Sequence, residues 1–438
     1  MPYRKSATSL QDLCIKMIAT KLHVFKHRLA SPNFPSIIKE DLFQQICRSK
    51  IKILHFNSDI FIHSRTQFLH HLDSFDVSID ILVEKIGLCK NLLHLNLESK
   101  LDIPTECLIR LVQHLPRIQH LNLTNRWKCT DRVVAEIGRN CPLLTYLDMS
   151  SCHYITKVRP LSRCKKLEHL DLSYIICKSD EDCFFLLNNL HFLKVFRYWP
   201  SCLDKLKKLP LRTYSIEELT HVGPEDIAIL TAFFPNLVKL SVSTLSGQRF
   251  MMAPINQYKR LTSLCLREML LIDVKLLDQH CPSLVDLKLY NCSILSTCFE
   301  DSDMKKLRLF KKLRKLSIKY DNGGKTEDYI SELEIEMFLV QCRNLEELLL
   351  SYFVDYPDAF CKNLLLKLIE FDLLKNVKSL KFSWCKFIKL EAIFKLLEMH
   401  GPLNKLVLYY CDNINNTARN EINTYIRIHN LDMQVKYS

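Results

Sequence analysis

The amino-acid sequence predicts an α/β solenoid, about thirteen or fourteen stacked strand-and-helix units behind a short helical segment. Three observations carry this. An apolar phrase spaced L-x-x-L-x-L recurs thirteen times along the 438 residues. Only seven residues are glycine, where an average protein has about 7%, so glycine-rich phosphate loops, collagen and turn-dense β-sandwiches are excluded. The hydrophobic fraction is 48% and the charged fraction 25%, enough apolar material for a long continuous core and too much for a disordered chain.

The phrase begins at Leu92/Leu95/Leu97 and recurs at Ile118/Leu121/Leu123, Leu144/Leu147/Met149, Leu167/Leu170/Leu172 and Leu193/Phe196/Tyr198. It continues through Leu211/Tyr214/Ile216, Leu237/Leu240/Val242, Leu261/Leu264/Leu266, Leu284/Leu287/Leu289 and Leu313/Leu316/Ile318 to Leu345/Leu348/Leu350, Val377/Leu380/Phe382 and Leu403/Leu406/Leu408. Units start 18 to 32 residues apart, most often 26. Ile51/Leu54/Phe56 fits as an earlier strand followed by a longer insertion. The alternation suits a short parallel strand with one buried face. Intervening stretches such as Thr105 to His114 and Asp131 to Gly138 read as amphipathic helices. One unit cannot bury its own apolar side, so neighbours must stack. The pattern resembles the leucine-rich repeats, which implies an α/β horseshoe over residues 50–438 closed by a C-terminal cap. The 26-residue period, with Cys141 and Cys152 in the same register as Cys281 and Cys292, and with Cys385 and Cys411 repeating the second position, is similar to the cysteine-containing repeats of F-box and related proteins.

The chain has nineteen cysteines but no C-x-x-C pair. They read as reduced, buried packing residues of a cytoplasmic or nuclear protein. The start of the chain has no clean apolar leader, because Lys16 and Lys21 interrupt it.

Residues 1–49 lack the repeat. Thr8 or Ser9 can cap a helix, with Asp12 completing a capping box, and Leu10, Leu13, Cys14, Met17 and Ile18 form one apolar stripe. A loop is expected from His27 to Asn33, and a second helix from Pro35 with Ile38, Leu42 and Ile46 on one face. Such a segment can simply cap the first repeat. Its residues also resemble a VHL box. Ser9-Leu10-x-x-x-Cys14-x-x-x-Ile18 matches the elongin C-binding box, and Phe34-Pro35-x-x-Ile38-x-x-x-Leu42 matches the cullin-2 box. Ile37 stands where the cullin-5 type has proline. Zyg and PRAME family proteins similarly join such a box to leucine-rich repeats. The resemblance implies a substrate adaptor of a ubiquitin ligase containing elongin B, elongin C, cullin-2 and a RING-box protein. Leu10, Leu13, Cys14 and Ile18 would meet elongin C; Phe34, Pro35, Ile38 and Leu42 would meet the cullin. The alternatives are a repeat scaffold without ligase attachment and an F-box adaptor, although an F-box starting at Phe34-Pro35 would need about forty more helical residues and the strand expected at Ile51 leaves too little chain for them.

The residues flanking each central leucine should face away from the helices and form the client surface. Early units offer His94, Asn96, His120, Asn122, Tyr146, Asp148, His169 and Asp171; later ones offer Lys239, Arg267, Lys288, Lys315, Lys319, Lys381 and Lys405, against Asp286 and Glu347. With a formal net charge of +13, the later surface is expected to be basic and to suit an acidic protein segment. Trp199, Tyr290 and Tyr409, at strand ends, are candidate aromatic anchors. The run Lys305 to Lys315 reads as a solvated outer helix. Gly324-Lys325-Thr326 mimics a phosphate loop but lacks the earlier glycine, which is Lys319. No catalytic motif, metal or cofactor is expected; His94, His120 and His169 share a register, but no cysteine or carboxylate completes a ligand set there.

Overall fold

The computed structural model describes residues 61–70, 75–98, 102–176, 180–198, 213–223, 233–243, 258–295, 309–320, 332–352, 364–370, 372–385, 388–399 and 401–437, together with residues 14, 17, 18, 21–29, 38, 39, 42, 43, 46, 53, 54, 72, 250, 251 and 330. The chain forms two compact units, Met1–Trp199 and Pro200–Ser438.

The first unit contains α1 (Leu22–Leu29), β1 (Ile53–Leu54), β2 (Phe68–Leu69), β3 (Phe75–Asp76), α2 (Ile79–Gly87), β4 (His94–Asn96), α3 (Thr105–Gln113), β5 (His120–Asn122), α4 (Asp131–Asn140) and β6 (Tyr146–Asp148). A 3₁₀ turn at Arg159–Arg163, β7 (His169–Leu172), α5 (Asp180–Asn189) and β8 (Val195–Tyr198) complete it. Strands β2, β4, β5, β6, β7 and β8 pair in that order, all parallel. Each central leucine is buried, and its flanking residues turn to the other face, as a period of two requires. Behind the sheet, Leu95 and Leu97 meet Leu108, Leu111 and Val112 of α3. Ser78 accepts from the Ile81 amide at the start of α2, whose buried stripe is Leu82, Val83 and Ile86; α3 and α4 begin after Pro104 and Thr130 without a side-chain cap and are held by their buried faces.

The second unit holds β9 (Glu218–Val222), β10 (Lys239–Val242), β11 (Phe250–Met251), β12 (Ser263–Arg267), β13 (Met269–Leu270), α6 (Val274–His280), β14 (Asp286–Tyr290) and β15 (Lys315–Tyr320). Next come α7 (Glu332–Gln341), β16 (Glu347–Tyr352), α8 (Leu364–Glu370), β17 (Ser379–Ser383), α9 (Leu390–Glu398) and β18 (Lys405–Tyr409), and then α10 (Asn416–Ile428) and β19 (Gln434–Tyr437). Its parallel order is β9, β10, β12, β14, β15, β16, β17, β18, β19. Both units have the leucine-rich-repeat fold.

Three devices recur from one repeat to the next. In four successive repeats the residue after the central leucine folds its side chain onto the chain two residues on: Asn96 accepts from the Glu98 amide at 2.7 Å, Asn122 from Thr124 at 2.8 Å, Asp148 from Ser150 at 2.9 Å and Asp171 from Ser173 at 2.9 Å. These Asx turns end the strands. Five residues past the start of seven of the strands the chain turns left-handed without glycine, at Asn125 (φ 58°), Ser151 (φ 60°), Tyr174 (φ 61°), Glu268 (φ 58°), Asn291 (φ 51°), Trp384 (φ 58°) and Tyr410 (φ 52°). Each such residue carries roughly 1–2 kcal/mol of strain, tolerated because stacking fixes the turn. The third device is the recurrent cysteine. The Cys152 thiol donates to the Leu123 carbonyl at 3.2 Å, Cys292 to Leu266 at 3.4 Å and Cys385 to Leu350 at 3.5 Å. In each case the acceptor is the last apolar residue of the preceding phrase. Burial pushes the Cys292 thiol up to about 12, so it stays a neutral donor. Of the fourteen described cysteines, all free, only Cys14 is exposed and Cys265 half-buried.

Four expectations are corrected. The strand expected at Ile51/Leu54/Phe56 exists at Ile53–Leu54, but it pairs with β3 in a separate two-stranded sheet. The main sheet instead begins at β2, inside the expected insertion, where Thr66 occupies the first leucine slot and donates to the Phe61 carbonyl at 2.8 Å. The frame Leu211/Tyr214/Ile216 is displaced: the strand is β9, with Ile216, Leu219 and Val222 buried, and a bulge opposite β10 supplies the extra residue. In the described part of the basic run, residues 309–314 form no helix; Leu309, Phe310 and Leu313 are buried, and Lys311 and Lys312 sit on the turn that enters β15. Finally, the loop expected from His27 is helical as far as Leu29. Among the described residues no helix is long and apolar enough to cross a membrane.

Gly138 of α4 lies against the Pro160 backbone so closely that an added Cβ would overlap the Pro160 carbonyl. Gly138→Ala is therefore expected to destabilise the first unit by about 3 kcal/mol despite alanine's better helix propensity, read as a lowered midpoint in urea. An unchanged or raised midpoint would contradict the close approach.

Candidate binding surfaces

In the first unit the open strand face carries a ladder of stacked rings. Strand register brings Phe68, His94, His120, Tyr146 and His169 into one row. Successive ring centroids lie 4.6, 5.2, 3.8 and 4.2 Å apart, close to the strand spacing of about 4.8 Å. Stacking is thus imposed by the backbone and rewarded by the rings. Partial burial holds His94 below the usual histidine range; the same cause, reinforced by repulsion from His94 and His169, lowers His120 against the opposing charge of Asp148. The next row is Asn96, Asn122, Asp148, Asp171 and Arg197. There the Arg197 guanidinium donates to the buried Asp171 carboxylate at 3.1 Å. The ladder therefore turns ring edges, not faces, to solvent. Among the described residues no group of three His, Cys, Asp or Glu side chains is placed to hold a metal ion.

In the second unit, register sorts the open-face residues of β12 to β18 into three rows. The first is Ser263, Asp286, Lys315, Glu347, Ser379 and Lys405; the second is Cys265, Lys288, Ser317, Leu349, Lys381 and Val407; the third is Arg267, Tyr290, Lys319, Ser351, Ser383 and Tyr409. The expected basic surface is narrower than the sequence suggests. Lys315 pairs with Glu347 at 2.6 Å, Lys239 with Glu218 at 3.3 Å, and Lys288 reaches Asp286 at 3.4 Å. The hydrogen bond and charge of Glu347 raise the Lys315 ammonium above its usual range. The third row holds its cations differently: the Arg267 guanidinium lies 4.3 Å and the Lys319 ammonium 6.0 Å from the Tyr290 ring centroid, and Lys381 of the second row lies 5.2 Å from that of Tyr409.

The amino-terminal residues divide into two sets. Leu29, Leu42, Phe43 and Ile46 are buried, and the Phe43 ring lies 5.3 Å from Phe61 and 5.4 Å from His70. Cys14, Met17 and Ile18 are helical; Cys14 is exposed, Met17 is 51% exposed and Ile18 half-buried. Ile38 is half-buried. Leu42, expected to touch a cullin, instead belongs to the interior at 1% exposure, next in sequence to Phe43, whose ring packs on Phe61 and His70. Leu10, Leu13, Phe34, Pro35 and Trp199 lie outside the described residues, as does the Gly324-Lys325-Thr326 stretch. The ladder's Phe68 and the Asp171 partner Arg197 were not foreseen. Each stands 26 residues from its neighbour, Phe68 before His94 and Arg197 after Asp171, and that offset is the signal that could have found them.

No protein-family model and no curated protein matches the chain. Among solved structures it is similar to an internalin from Listeria monocytogenes, at 16% identity and a TM-score of 0.44 over 82% of this chain and 88% of that one. It is also similar to a leucine-rich-repeat protein from Leptospira interrogans, at 17% identity and a TM-score of 0.41 over 88% of this chain and 92% of that one. A third likeness is to the complex of Rad7 and Elc1 in yeast, at 13% identity and a TM-score of 0.40 over 94% of this chain and 96% of that one. At these identities and scores the likenesses say nothing of partner or activity.

The lowered histidines have a consequence for stability. Above about pH 7 both folded and unfolded rings are neutral, so the ladder contributes in full. As pH falls through about 6.5 the unfolded chain binds protons first, and stability drops. The melting temperature is expected to fall more steeply between pH 7 and pH 5 for the natural chain than for the double variant His94→Phe, His120→Phe. Parallel slopes would contradict the assignment.

Proposed function

We propose that this chain is a substrate-recognition adaptor of a cullin-2 RING ubiquitin ligase. The amino-terminal helices bind elongin C, itself paired with elongin B. The cullin and its RING-box protein follow through Phe34, Pro35 and Ile38, and a protein client lies on the strand faces. The chain performs no chemistry itself; it raises the effective concentration of client lysines near a ubiquitin-charged enzyme. It would work in the cytoplasm or nucleus, where cysteines stay reduced.

The observation that carries this reading is the division of the amino-terminal region. Capping is accomplished by Leu29, Leu42, Phe43 and Ile46, yet Cys14 and Met17 remain exposed on a helix. An outward apolar helical stripe beyond what the cap uses suits docking into a partner's groove. Cys14 and Ile18, one turn on, are motif residues that belong to this helical stretch, and the spacing of the motif adds Leu10 to the same apolar series in the sequence. The buried set favours a second reading, in which the region only caps a repeat scaffold without ligase attachment.

Co-purification with elongin B and C separates the two readings. Leu10→Ser with Cys14→Phe is expected to reduce elongin capture at least tenfold while leaving the melting temperature within about 2 °C. Retained capture, or the absence of capture by the natural chain, would rule out the adaptor reading. Leu42→Ala, by contrast, is expected to destabilise the first unit by about 2–4 kcal/mol, because it empties a core site. A neutral effect on urea denaturation would show that Leu42 is not part of the cap.

A further inference from the structure

The open face of β12 to β18 carries its charges in an order that net charge alone does not convey. Its carboxylates, Asp286 and Glu347, both stand in the first row. The second and third rows contain Arg267, Lys319 and Lys381, together with Lys288, which reaches across to Asp286 of the first row, and they contain two tyrosines and no carboxylate. These two rows form a band one strand step wide, about 7 Å, bordered on one side by acids. Within it, Arg267 and Lys319 flank the Tyr290 ring and Lys381 lies over Tyr409. A cation resting on a ring is partly desolvated and held in place, so it loses little further freedom when an anion arrives. Burial raises the Tyr290 hydroxyl above its ordinary range, which keeps it a proton donor.

We propose that this band binds a carboxylate-rich, extended segment of a protein client. From Arg267 on β12 to Lys381 on β17 there are four strand-to-strand steps, about 19 Å at about 4.8 Å each. An extended chain covers that with about six residues. The band's width fits one such chain. A nucleic-acid duplex, whose major groove alone is about 12 Å wide, would overlap the first row and bring its phosphates against Asp286 and Glu347. Single-stranded nucleic acid needs open aromatic faces for its bases, and here the cations lie over those faces. The proposal deepens the client-binding half of the function proposed above and names the chemistry of the client. It does not depend on elongin, so either half can fail alone.

The test uses the purified full chain without elongin and a fluorescein-labelled octapeptide of alternating glutamate and serine, read by anisotropy at low salt. The glutamine counterpart and a ten-nucleotide thymidine strand serve as competitors. The glutamate peptide is expected to bind, to weaken at least about fivefold between about 50 and about 300 mM salt as the screening length shortens through about 8 Å, and to be displaced by neither competitor. Lys319→Glu with Lys381→Glu is expected to reduce affinity at least tenfold. Lys311→Glu with Lys312→Glu makes the same change of charge on the exposed turn before β15 and is expected to reduce it less than twofold. If charge reversal in the band prevents folding, Lys319→Gln with Lys381→Gln takes its place, with a threefold loss expected. Equal losses for the band and turn variants would mean that net charge alone attracts the peptide and would overturn the proposal. So would no binding at 50 mM salt, displacement by the thymidine strand, or binding only when phosphoserine replaces serine.

Discussion

The structure depends on one constraint: a single strand-and-helix unit has an apolar side it cannot cover alone. Leu95 and Leu97 are buried because α3 lies behind them and because β2 and β5 lie on either side. The same holds along the chain, so each repeat is stabilised chiefly by its neighbours. This accounts for features that would be costly in isolation. Left-handed residues such as Ser151 and Trp384 persist without glycine where an inter-repeat hydrogen bond holds the turn, the Ser151 amide donating to the Ser173 carbonyl and the Trp384 amide to the Tyr409 carbonyl, both at 2.8 Å. The Cys152, Cys292 and Cys385 thiols are placed to reach carbonyls at the ends of neighbouring strands.

Stacking also determines what can be displayed. Residues on the open face repeat at the strand spacing, and that spacing is close to the thickness of a stacked ring. Where the sequence offers Phe, His, His, Tyr and His in one register, it yields a ladder whose faces are mutually covered. Where it offers lysines against acids in one row and tyrosines in another, Lys315 and Lys288 pair with carboxylates of the first row, while Arg267 and Lys381 lie over rings. The two units thus present different chemistry from the same scaffold: neutral rings beside an ion pair whose carboxylate is buried in one, cations in the other.

Much of this is legible in the sequence because leucine periodicity is a packing requirement. It fails where something other than leucine meets the requirement. Thr66 hides the repeat at β2, since its hydroxyl bonds the Phe61 carbonyl where a leucine would fill space. The bulge at Val222 hides the frame of β9, because the phrase assumes strict alternation. That error also removed Glu218 from the open face and with it the partner of Lys239. The basic run before β15 reads as a helix by charge alone, yet Leu309, Phe310 and Leu313 turn it inward. At the amino terminus the motif spacing could be read, but not which residues the cap would consume; Leu42 goes to the core and Cys14 stays outside.

The central claim is that the amino-terminal helices serve both as a cap and as an outward grip. Hydrogen–deuterium exchange on the free chain and on its mixture with elongin B and C tests it most directly. The account predicts that the segment around Leu42, Phe43 and Ile46 is protected in both samples, while the segment around Cys14, Met17 and Ile18 gains protection only in the mixture. If Cys14 to Ile18 exchanges as slowly as Leu42 to Ile46 in the free chain and is unchanged by elongin, the helices are a cap and nothing more.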